Sequence, residues 1–307
     1  MSRQLLIFTK LYKYKRYQNR VKNIQDLINH IRTALNHAYE KPEADAMAMQ
    51  VTEHVLQLSR LQLSVERQNP VNEQTWASVE KIISRLQQHE PLQYVLGYAH
   101  FYGLELAVSP AVLIPRPETE ELVDLIIKEN ARQQNLRVLD ICTGSGCIPI
   151  ALSAHLSTKQ VYGLDISEPA LEIAQQNALK YKQQISWLRQ DILQADFTLL
   201  PTNLDIIVSN PPYVLDQEKK LMRANVLNHE PHLALFVPDE DALLFYKQIA
   251  TLSLKLLKTT GTLYFEINER QAAALTALLQ ELGFNSIEVY QDIFGKERFL
   301  RASINSI

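Results

Sequence analysis

The second half of the chain alternates short apolar runs with amphipathic helical patterns, and this alternation limits its fold more than any other feature. The apolar runs are short, rich in branched residues and bounded by turns, as buried strands are. Seven strands are predicted: Arg137–Ile141, Gln160–Asp165, Ile185–Arg189, Leu204–Ser209, Gly261–Glu266, Ser286–Tyr290 and Arg298–Ala302. Helical patterns near 148–156, 169–181, 241–257 and 269–282 separate most of them. Such alternation predicts an α/β fold with a mostly parallel sheet that helices cover on both faces.

The first part of the chain has a different pattern. Apolar residues recur at helical spacing in three stripes, which begin at Ile24, Met47 and Trp76. These stripes predict a small helical domain. Near Glu90 the period changes, and an aromatic, alternating segment at 97–108 predicts a hairpin. The predicted organisation is a basic extension at 1–20, a helical domain at 21–89, a hairpin linker at 90–115 and the α/β domain at 116–307.

Charge is divided unevenly along the chain. Residues 1–22 carry seven basic side chains and no acidic one, so a formal net charge of −3 becomes −10 for the remainder. Phosphate backbones are bound mainly by Lys and Arg, so we expect no direct nucleic-acid partner. A basic, acid-free N-terminal segment is also a feature of mitochondrial transit peptides, although this one is poor in serine. We favour the cytoplasm, with the mitochondrial matrix as the alternative.

Neither a membrane nor a metal is indicated. No apolar run approaches the ~20 residues that a bilayer-spanning helix requires, so no membrane partner is expected. The two cysteines, Cys142 and Cys147, form neither a metal-ligand pattern nor a disulfide framework. We therefore expect a reducing compartment and no bound metal.

The segment from Asp140 to Pro149 reads as a strand, a glycine turn and the start of a helix. Gly144 and Gly146 allow a positive φ and a close approach of ligand to backbone. Asp165 ends the next strand about 20 positions later, where a carboxylate can bind ribose hydroxyls. The alternative to a ligand site is a tight strand-to-helix turn, with Asp165 exposed to solvent at the end of its strand. Pro149 takes the third glycine position of the dinucleotide fingerprint, which favours S-adenosylmethionine, a ligand without phosphate.

The third strand leads into Asp191 and Ile192. Asp191 can accept from an adenine amino group, with Ile192 packed against the ring. Asp191 fits the role of a helix cap equally well.

A polar corner, Asn210-Pro211-Pro212-Tyr213, follows the buried strand Leu204–Ser209. Ligands of open α/β sheets bind beyond the carboxyl ends of the strands. The prolines lack backbone donors, so carbonyl groups and the Asn210 oxygen are the available polar groups. If Asn210 and Pro211 accept both hydrogens of a planar amide nitrogen, that nitrogen faces a sulfonium methyl, and Tyr213 covers the amide plane. A rigid surface turn is the alternative.

Together these features resemble the HemK/PrmC family, the protein-(glutamine-N5) methyltransferases that act on peptide chain release factors. The similarity runs from about Val21 to Ser303 and is carried by Glu90–Gly97, Leu113–Glu120, Asp140–Gly146 and Ser209–Tyr213. Asn-Pro-Pro-Tyr is shared with adenine-N6 methyltransferases. The block from Ile114 to Glu120, combined with a helical N-terminal domain, is more specific.

The resemblance implies a seven-stranded Rossmann-like methyltransferase fold whose helical domain helps to dock a class 1 release factor. The Gly-Gly-Gln tip of that factor would reach the Asn-Pro-Pro-Tyr corner. By matching positions, the S-adenosylmethionine contacts fall on Thr143, Gly144, Ser145, Gly146, Asp165 and Asn210, to which the residue patterns add Cys142, Asp191 and Ile192. Asn210, Pro211, Pro212 and Tyr213 would frame the glutamine, with Asn210, Pro211 and Tyr213 catalytic. We expect a monomer. The alternative activity, adenine-N6 methylation of DNA or RNA, requires a basic groove.

Two positions depart from the family pattern. Cys142 stands where the family usually has glycine, so the loop is expected to avoid a strained φ there. The stretch 233–238 lacks the glycines often found in the family, which leaves the shape of that loop open.

Overall fold

The computed structural model describes residues 22–305. The expectations for the basic extension at 1–20 therefore fall outside the described residues. The chain divides into two compact units between Leu96 and Gly97, inside the segment predicted as a linker.

The first unit is helical. Its helices are α1 (Ile24–Leu35), α2 (Lys41–Leu56), α3 (Arg60–Val65), α4 (Glu73–Leu86) and α5 (Leu92–Leu96). The three predicted stripes correspond to α1, α2 and α4, whereas the short α3 and α5 were not predicted. A capping box begins α1: Asn23 Oδ1 accepts the Asp26 N–H at 2.8 Å, and the Asp26 carboxylate accepts the Asn23 N–H at 3.2 Å.

The second unit opens with a hairpin of β1 (Tyr98–Phe101) and β2 (Leu104–Ala107). Tyr102 and Gly103 form its turn with φ of 46° and 75°. Positive φ at both central residues gives the turn a twist that matches the flanking strands. The predicted hairpin is therefore confirmed.

The remaining strands and helices follow the predicted alternation, except for three short elements between residues 214 and 237 that were not predicted. In chain order they are α6 (Pro117–Asn130), β3 (Leu136–Ile141), α7 (Cys147–His155), β4 (Thr158–Asp165), α8 (Glu168–Lys180), β5 (Ile185–Arg189), β6 (Leu204–Ser209), β7 (Val214–Leu215), α9 (Ala224–His229), β8 (Phe236–Val237), α10 (Leu244–Leu256), β9 (Leu257–Glu266), α11 (Ala272–Leu282), β10 (Ser286–Gln291) and β11 (Glu297–Ser303). The largest boundary error is at β9, which begins directly after α10 because Leu257 already pairs with Leu204.

Seven strands form one sheet in the order β10-β11-β9-β6-β3-β4-β5. Only β11 runs against the others in this sheet, being antiparallel to both β9 and β10. The chain moves from β3 outward to β5 and then returns to place β6 on the other side of β3. This reversal is a topological switch point, where open α/β sheets bind ligands. The predicted fold class is confirmed.

Apolar side chains pack on both faces of the sheet. Tyr246 and Leu256 of α10 belong to a cluster on one face, together with Leu279 of α11. Leu122 of α6 and Leu152 of α7 belong to a second cluster on the other face. Burial on both faces explains why the strands read as continuous apolar runs rather than as alternating ones. Among the described residues, none of the helices is both long and apolar enough to cross a membrane.

The loop that lacks the expected glycines is closed by strand pairing. Val214 and Leu215 pair in parallel with Phe236 and Val237. A short 3-10 helix at His232–Ala234 precedes β8. The segment between β7 and β8 therefore begins and ends next to the Asn-Pro-Pro-Tyr corner.

Candidate active site

A glycine loop connects β3 to α7 at the switch point. Gly144 and Gly146 have φ of 54° and 77°, as the sequence pattern predicts. A Cβ added to Gly144 would meet no atom within 4 Å. The backbone at Gly144 therefore borders open space, where a ligand can approach it closely.

Cys142 contradicts the expectation that the loop avoids a strained φ at this position. Its φ is 63°, in the left-handed region. The turn is sharp because the next amide, that of Thr143, donates to the Leu164 carbonyl on β4 at 3.0 Å. A left-handed conformation costs a residue with a side chain about 1–2 kcal/mol. The family's glycine at this position is thus explained by backbone geometry, and Cys142 carries the strain.

The indole ring of Trp187 packs against the glycine loop. Trp187 on β5 pairs with Gly163 on β4. A Cβ on Gly163 would lie 2.4 Å from Trp187 Cζ3, and one on Gly146 would lie 3.1 Å from Trp187 Cη2. The two glycines leave room for the ring. Trp187 was not identified from the sequence, because only the strand pairing brings it under the loop.

Asp165 ties the loop to the end of β4. Its Oδ2 accepts the Gly144 N–H at 2.8 Å, and its Oδ1 accepts the Ser167 N–H at 2.9 Å. Burial raises the pKa of the Asp165 carboxyl, and these backbone hydrogen bonds oppose the rise. Each carboxylate oxygen can accept a further hydrogen bond. Asp165 can therefore hold the loop and still accept from a pair of hydroxyl groups.

Three of the predicted cofactor residues belong to the loop but face the protein interior rather than the cavity. Thr143 is buried and donates to the fully buried Asp140 at 2.5 Å. Ser145 is also buried, and its carbonyl accepts from Asn177 of α8 at 3.0 Å. Gly146 caps the N-terminus of α7. These residues shape the loop, and none of them lines the cavity in front of it.

That cavity has a volume of about 370 Å³. Six predicted cofactor residues line it: Cys142, Gly144, Asp165, Asp191, Ile192 and Asn210. Much of the remaining wall is apolar and includes Val112, Leu164 and Phe245. Asp191 also caps a 3-10 helix, accepting the Leu193 N–H at 3.0 Å. Both interpretations of Asp191 are thus compatible with one position.

Gln190 supplies a polar group to the same cavity that sequence reasoning missed. Its Oε1 is buried and lacks a hydrogen-bond partner among the residues that the structure describes. Buried acceptors are normally paired, so an unpaired one beside a cavity fits a ligand that carries a donor. The sequence contained one indication of this role, because Gln190 directly precedes the predicted cofactor residue Asp191 at the end of β5.

The Asn-Pro-Pro-Tyr corner adjoins the glycine loop because β6 lies beside β3, with Ser209 opposite Ile141. A second cavity, about 270 Å³, opens here, and Pro211 and Tyr213 line it. Asn210 lines both cavities, whereas Pro212 lines only the first. Asn210 therefore stands where the two cavities meet.

A buried hydrogen-bond chain lies behind the corner. Asn210 Nδ2 is 3.2 Å from Thr119 Oγ1, which is 2.6 Å from Glu266 Oε2. The Tyr213 hydroxyl donates to the other Glu266 oxygen at 3.1 Å. Burial raises the pKa of Glu266, and the hydrogen bonds from Thr119 and Tyr213 oppose the rise. Thr119 lies in the Pro-Glu-Thr-Glu block, but nothing in the sequence connects it with Glu266.

A half-buried ion pair lies at the wall of the second cavity, which Arg116 lines. Arg116 reaches Glu230 at 2.6 Å, and Glu230 also accepts the Ile114 N–H at 3.2 Å. The connector before α6 is thereby joined to the loop that precedes β8. Within residues 22–305, no group of three or more His, Cys, Asp or Glu side chains could hold a metal.

A sheet of this topology, with a glycine loop and an acceptor corner on neighbouring strand ends, defines a Rossmann-like methyltransferase. The fold is similar to that of the hMettl16 catalytic domain in complex with the MAT2A 3'UTR hairpin 6, with a TM-score of 0.53 over 67% of this chain and 77% of that one. The sequence identity is 19%, so this likeness concerns the fold alone.

Family models and relatives at higher identity specify the class further. The PrmC N-terminal domain matches residues 26–97, and the methyltransferase small domain matches residues 119–234. The release factor glutamine methyltransferase of Bacteroides thetaiotaomicron is 46% identical over 89% of this chain and 98% of its own length. That of Flavobacterium psychrophilum is 40% identical over 90% and 99%. The chain belongs to the family of release factor glutamine methyltransferases.

Proposed function

We propose that this chain transfers a methyl group from S-adenosylmethionine to the side-chain amide nitrogen (N5) of the glutamine in the Gly-Gly-Gln motif of class 1 peptide chain release factors. The observation that carries the proposal is the position of Asn210, which lines both the cavity beside the glycine loop and the cavity beside Tyr213. One cavity would hold the methyl donor and the other the glutamine.

The chemistry of the residues that line the first cavity supports its assignment to the donor. Its acceptors, Asp165 at the end of β4 and Gln190 and Asp191 at the end of β5, suit ribose hydroxyls and an adenine amino group. Gly144 allows the ligand to approach the backbone, and Ile192 offers an apolar surface to the base. When bound, S-adenosylmethionine supplies an electrophilic methyl group on a sulfonium centre.

The second cavity would hold the glutamine amide. The Asn210 side-chain oxygen and the Pro211 carbonyl would each accept one amide hydrogen, which raises the electron density on the nitrogen and aligns it with the methyl group. In-line alignment of reacting atoms at ~3–3.5 Å provides much of the catalysis of such a transfer. Methyl transfer would leave the cofactor as a neutral thioether and the methylated nitrogen with a positive charge, and this nitrogen would then release one proton to solvent water. Tyr213 would cover the amide plane.

We propose that the helical N-terminal unit, which matches the PrmC N-terminal domain, helps to dock the release factor. The sequence relatives are named as release factor glutamine methyltransferases. The hMettl16 catalytic domain, which was solved with an RNA hairpin, is similar to this chain only in fold. The formal charge of −10 beyond residue 22 also disfavours the adenine-N6 alternative. We propose that the protein acts as a monomer in the cytoplasm, with the mitochondrial matrix as the alternative compartment.

The direct test incubates the protein with S-adenosylmethionine and a Gly-Gly-Gln release factor, followed by peptide mass spectrometry. We expect the glutamine of the motif to gain the mass of one methylene unit. A release factor with Gln replaced by Glu at the motif is the matched substrate control. An unmodified glutamine at high enzyme concentration would contradict the proposal.

The Asn210→Ala variant tests the acceptor role. Loss of one preorganised acceptor should lower kcat by ~10²–10³, by analogy with removal of one oxyanion-hole donor. Thermal stability should change little if Asn210 acts in catalysis. Asn285→Ala is the control for activity, since Asn285 is exposed, lies just before β10 at the sheet edge opposite to the site, and donates from its amide to the Ile304 carbonyl at 2.6 Å. A near wild-type kcat for Asn210→Ala would exclude the acceptor mechanism, and unfolding would favour the rigid-turn interpretation.

A further inference from the structure

We propose that Thr119 and Glu266 are positioning residues, which fix the Asn210 amide so that its oxygen faces the substrate. This inference rests on the proposed function, in which that oxygen accepts a hydrogen from the glutamine amide. Thr119 lines neither cavity, and Glu266 lines the second cavity, where both of its carboxylate oxygens are already occupied by the Thr119 and Tyr213 hydroxyls. They act through Asn210 and Tyr213.

The orientation follows from the single hydrogen of the Thr119 hydroxyl. Thr119 Oγ1 is 2.6 Å from Glu266 Oε2, and the ionised form of Glu266, which the Thr119 and Tyr213 hydroxyls and Arg298 favour, can only accept. The hydroxyl hydrogen is therefore directed to Glu266, which leaves only lone pairs on Oγ1 for Asn210. The Asn210 group at 3.2 Å from Oγ1 must then be a donor, the amide NH₂. Its oxygen is consequently turned away from Thr119.

The reverse orientation would be unproductive. Amide O and N are nearly equal in size, so shape alone does not select between the two orientations. A flipped Asn210 would place its oxygen against the lone pairs of Thr119 and its NH₂ against the NH₂ of the glutamine. Donor would then face donor at the position where the nitrogen needs an acceptor. The hydroxyl of Thr119 thus determines the chemical character of the corner.

Glu266 holds two sides of the same site. Its Oε1 accepts the Tyr213 hydroxyl at 3.1 Å, and its backbone carbonyl accepts the Tyr246 hydroxyl at 3.1 Å. The guanidinium of Arg298 attracts the carboxylate, whereas Glu118 repels it. One carboxylate at the end of β9 therefore orients Asn210 through Thr119 and also orients Tyr213 directly.

The test compares Thr119→Val, which removes the hydroxyl and keeps the shape, with Thr119→Ser, which keeps the hydroxyl. With the full chain and a release factor as substrate, Thr119→Val should lose about 10-fold in kcat, the scale of one hydrogen bond. The Kd for S-adenosylmethionine should stay unchanged, and Thr119→Ser should retain the wild-type rate. Thr52→Val is the control, because Thr52 is also buried and donates only to the Ala48 carbonyl within α2.

A double-mutant cycle separates positioning from general packing. In an Asn210→Ala background, Thr119→Val should cause no further loss of kcat, because no amide is left to orient. An additive loss would overturn the proposal, as would a wild-type rate for Thr119→Val or an equal loss for Thr119→Ser. If Thr119→Val does not fold, Thr119→Ala removes the same hydroxyl and enters the same cycle. Failure of the wild type to methylate any release factor would instead contradict the proposed function.

Discussion

Cys142 shows how a single backbone angle can bring strain to the edge of a binding site. Its φ of 63° follows from the turn out of β3, and a glycine would adopt that angle without penalty. Residues in sparsely populated backbone regions persist only where the surroundings hold them, at a cost of about 1–3 kcal/mol each. Here the surroundings include the Thr143 amide, which bonds to β4, and the Asp165 carboxylate, which holds the Gly144 amide.

Substitutions at residue 142 should report this strain. Cys142→Val should lower the free energy of unfolding by about 1–3 kcal/mol, because a β-branched side chain is poorly tolerated at positive φ. Cys142→Gly should be at least as stable as the wild type, since it relieves the strain. Urea unfolding of both variants provides the measurement. Equal stability of the valine variant and the wild type would show that residue 142 is not left-handed in solution.

The glycine loop depends on how β4 and β5 pack beneath it. Gly163 and Trp187 are cross-strand neighbours, and the indole occupies the space that a side chain at 163 would fill. Because the same ring also approaches Gly146, a shift of Trp187 would be transmitted to the start of α7. The two strands therefore support the loop through one side chain.

A double-mutant cycle on this pair tests the packing. Gly163→Ala should destabilise the protein by about 1–3 kcal/mol, the usual cost of overpacking a filled interior. The same change should cost much less in a Trp187→Leu background, where the clash is absent, and this difference is the coupling energy. Thermal and urea unfolding of the four proteins provide the values. If the losses in the free energy of unfolding are additive, Trp187 does not fill the space next to Gly163.

In the sequence as a whole, the basic segment at residues 1–22 lies outside the two regions that match family models. Residues 1–22 carry seven basic side chains and no acidic one, and the rest of the chain has a formal net charge of −10. An acidic body suits a protein substrate better than a phosphate backbone. The family matches at 26–97 and 119–234 begin after the basic segment.

Deletion of residues 1–20 tests whether the basic segment contributes to activity. We expect kcat/KM for release factor methylation to stay unchanged, because the segment lies outside the resemblance that carries the site. The matched variant keeps its length and replaces its basic residues with glutamine. A large loss in both variants would show that the segment binds substrate through its charge and would reopen the nucleic-acid alternative.

Local sequence patterns were sufficient for the long helices, for the seven strands of the main sheet and for the two motifs that face the cavities, but not for the short α3, α5, α9, β7 and β8. Periodicity, glycine placement and the paired prolines act within a few residues, so they predicted the strands, the loop at Gly144 and the corner at Asn210. Tertiary structure alone decided which distant groups complete the site, since no local pattern records contacts across the sheet. Thr119 is 91 residues from Asn210 and 147 from Glu266, and Trp187 reaches the loop only through strand pairing. The φ of Cys142 was mispredicted for the same reason: the hydrogen bond to β4 that requires the turn is a contact between strands.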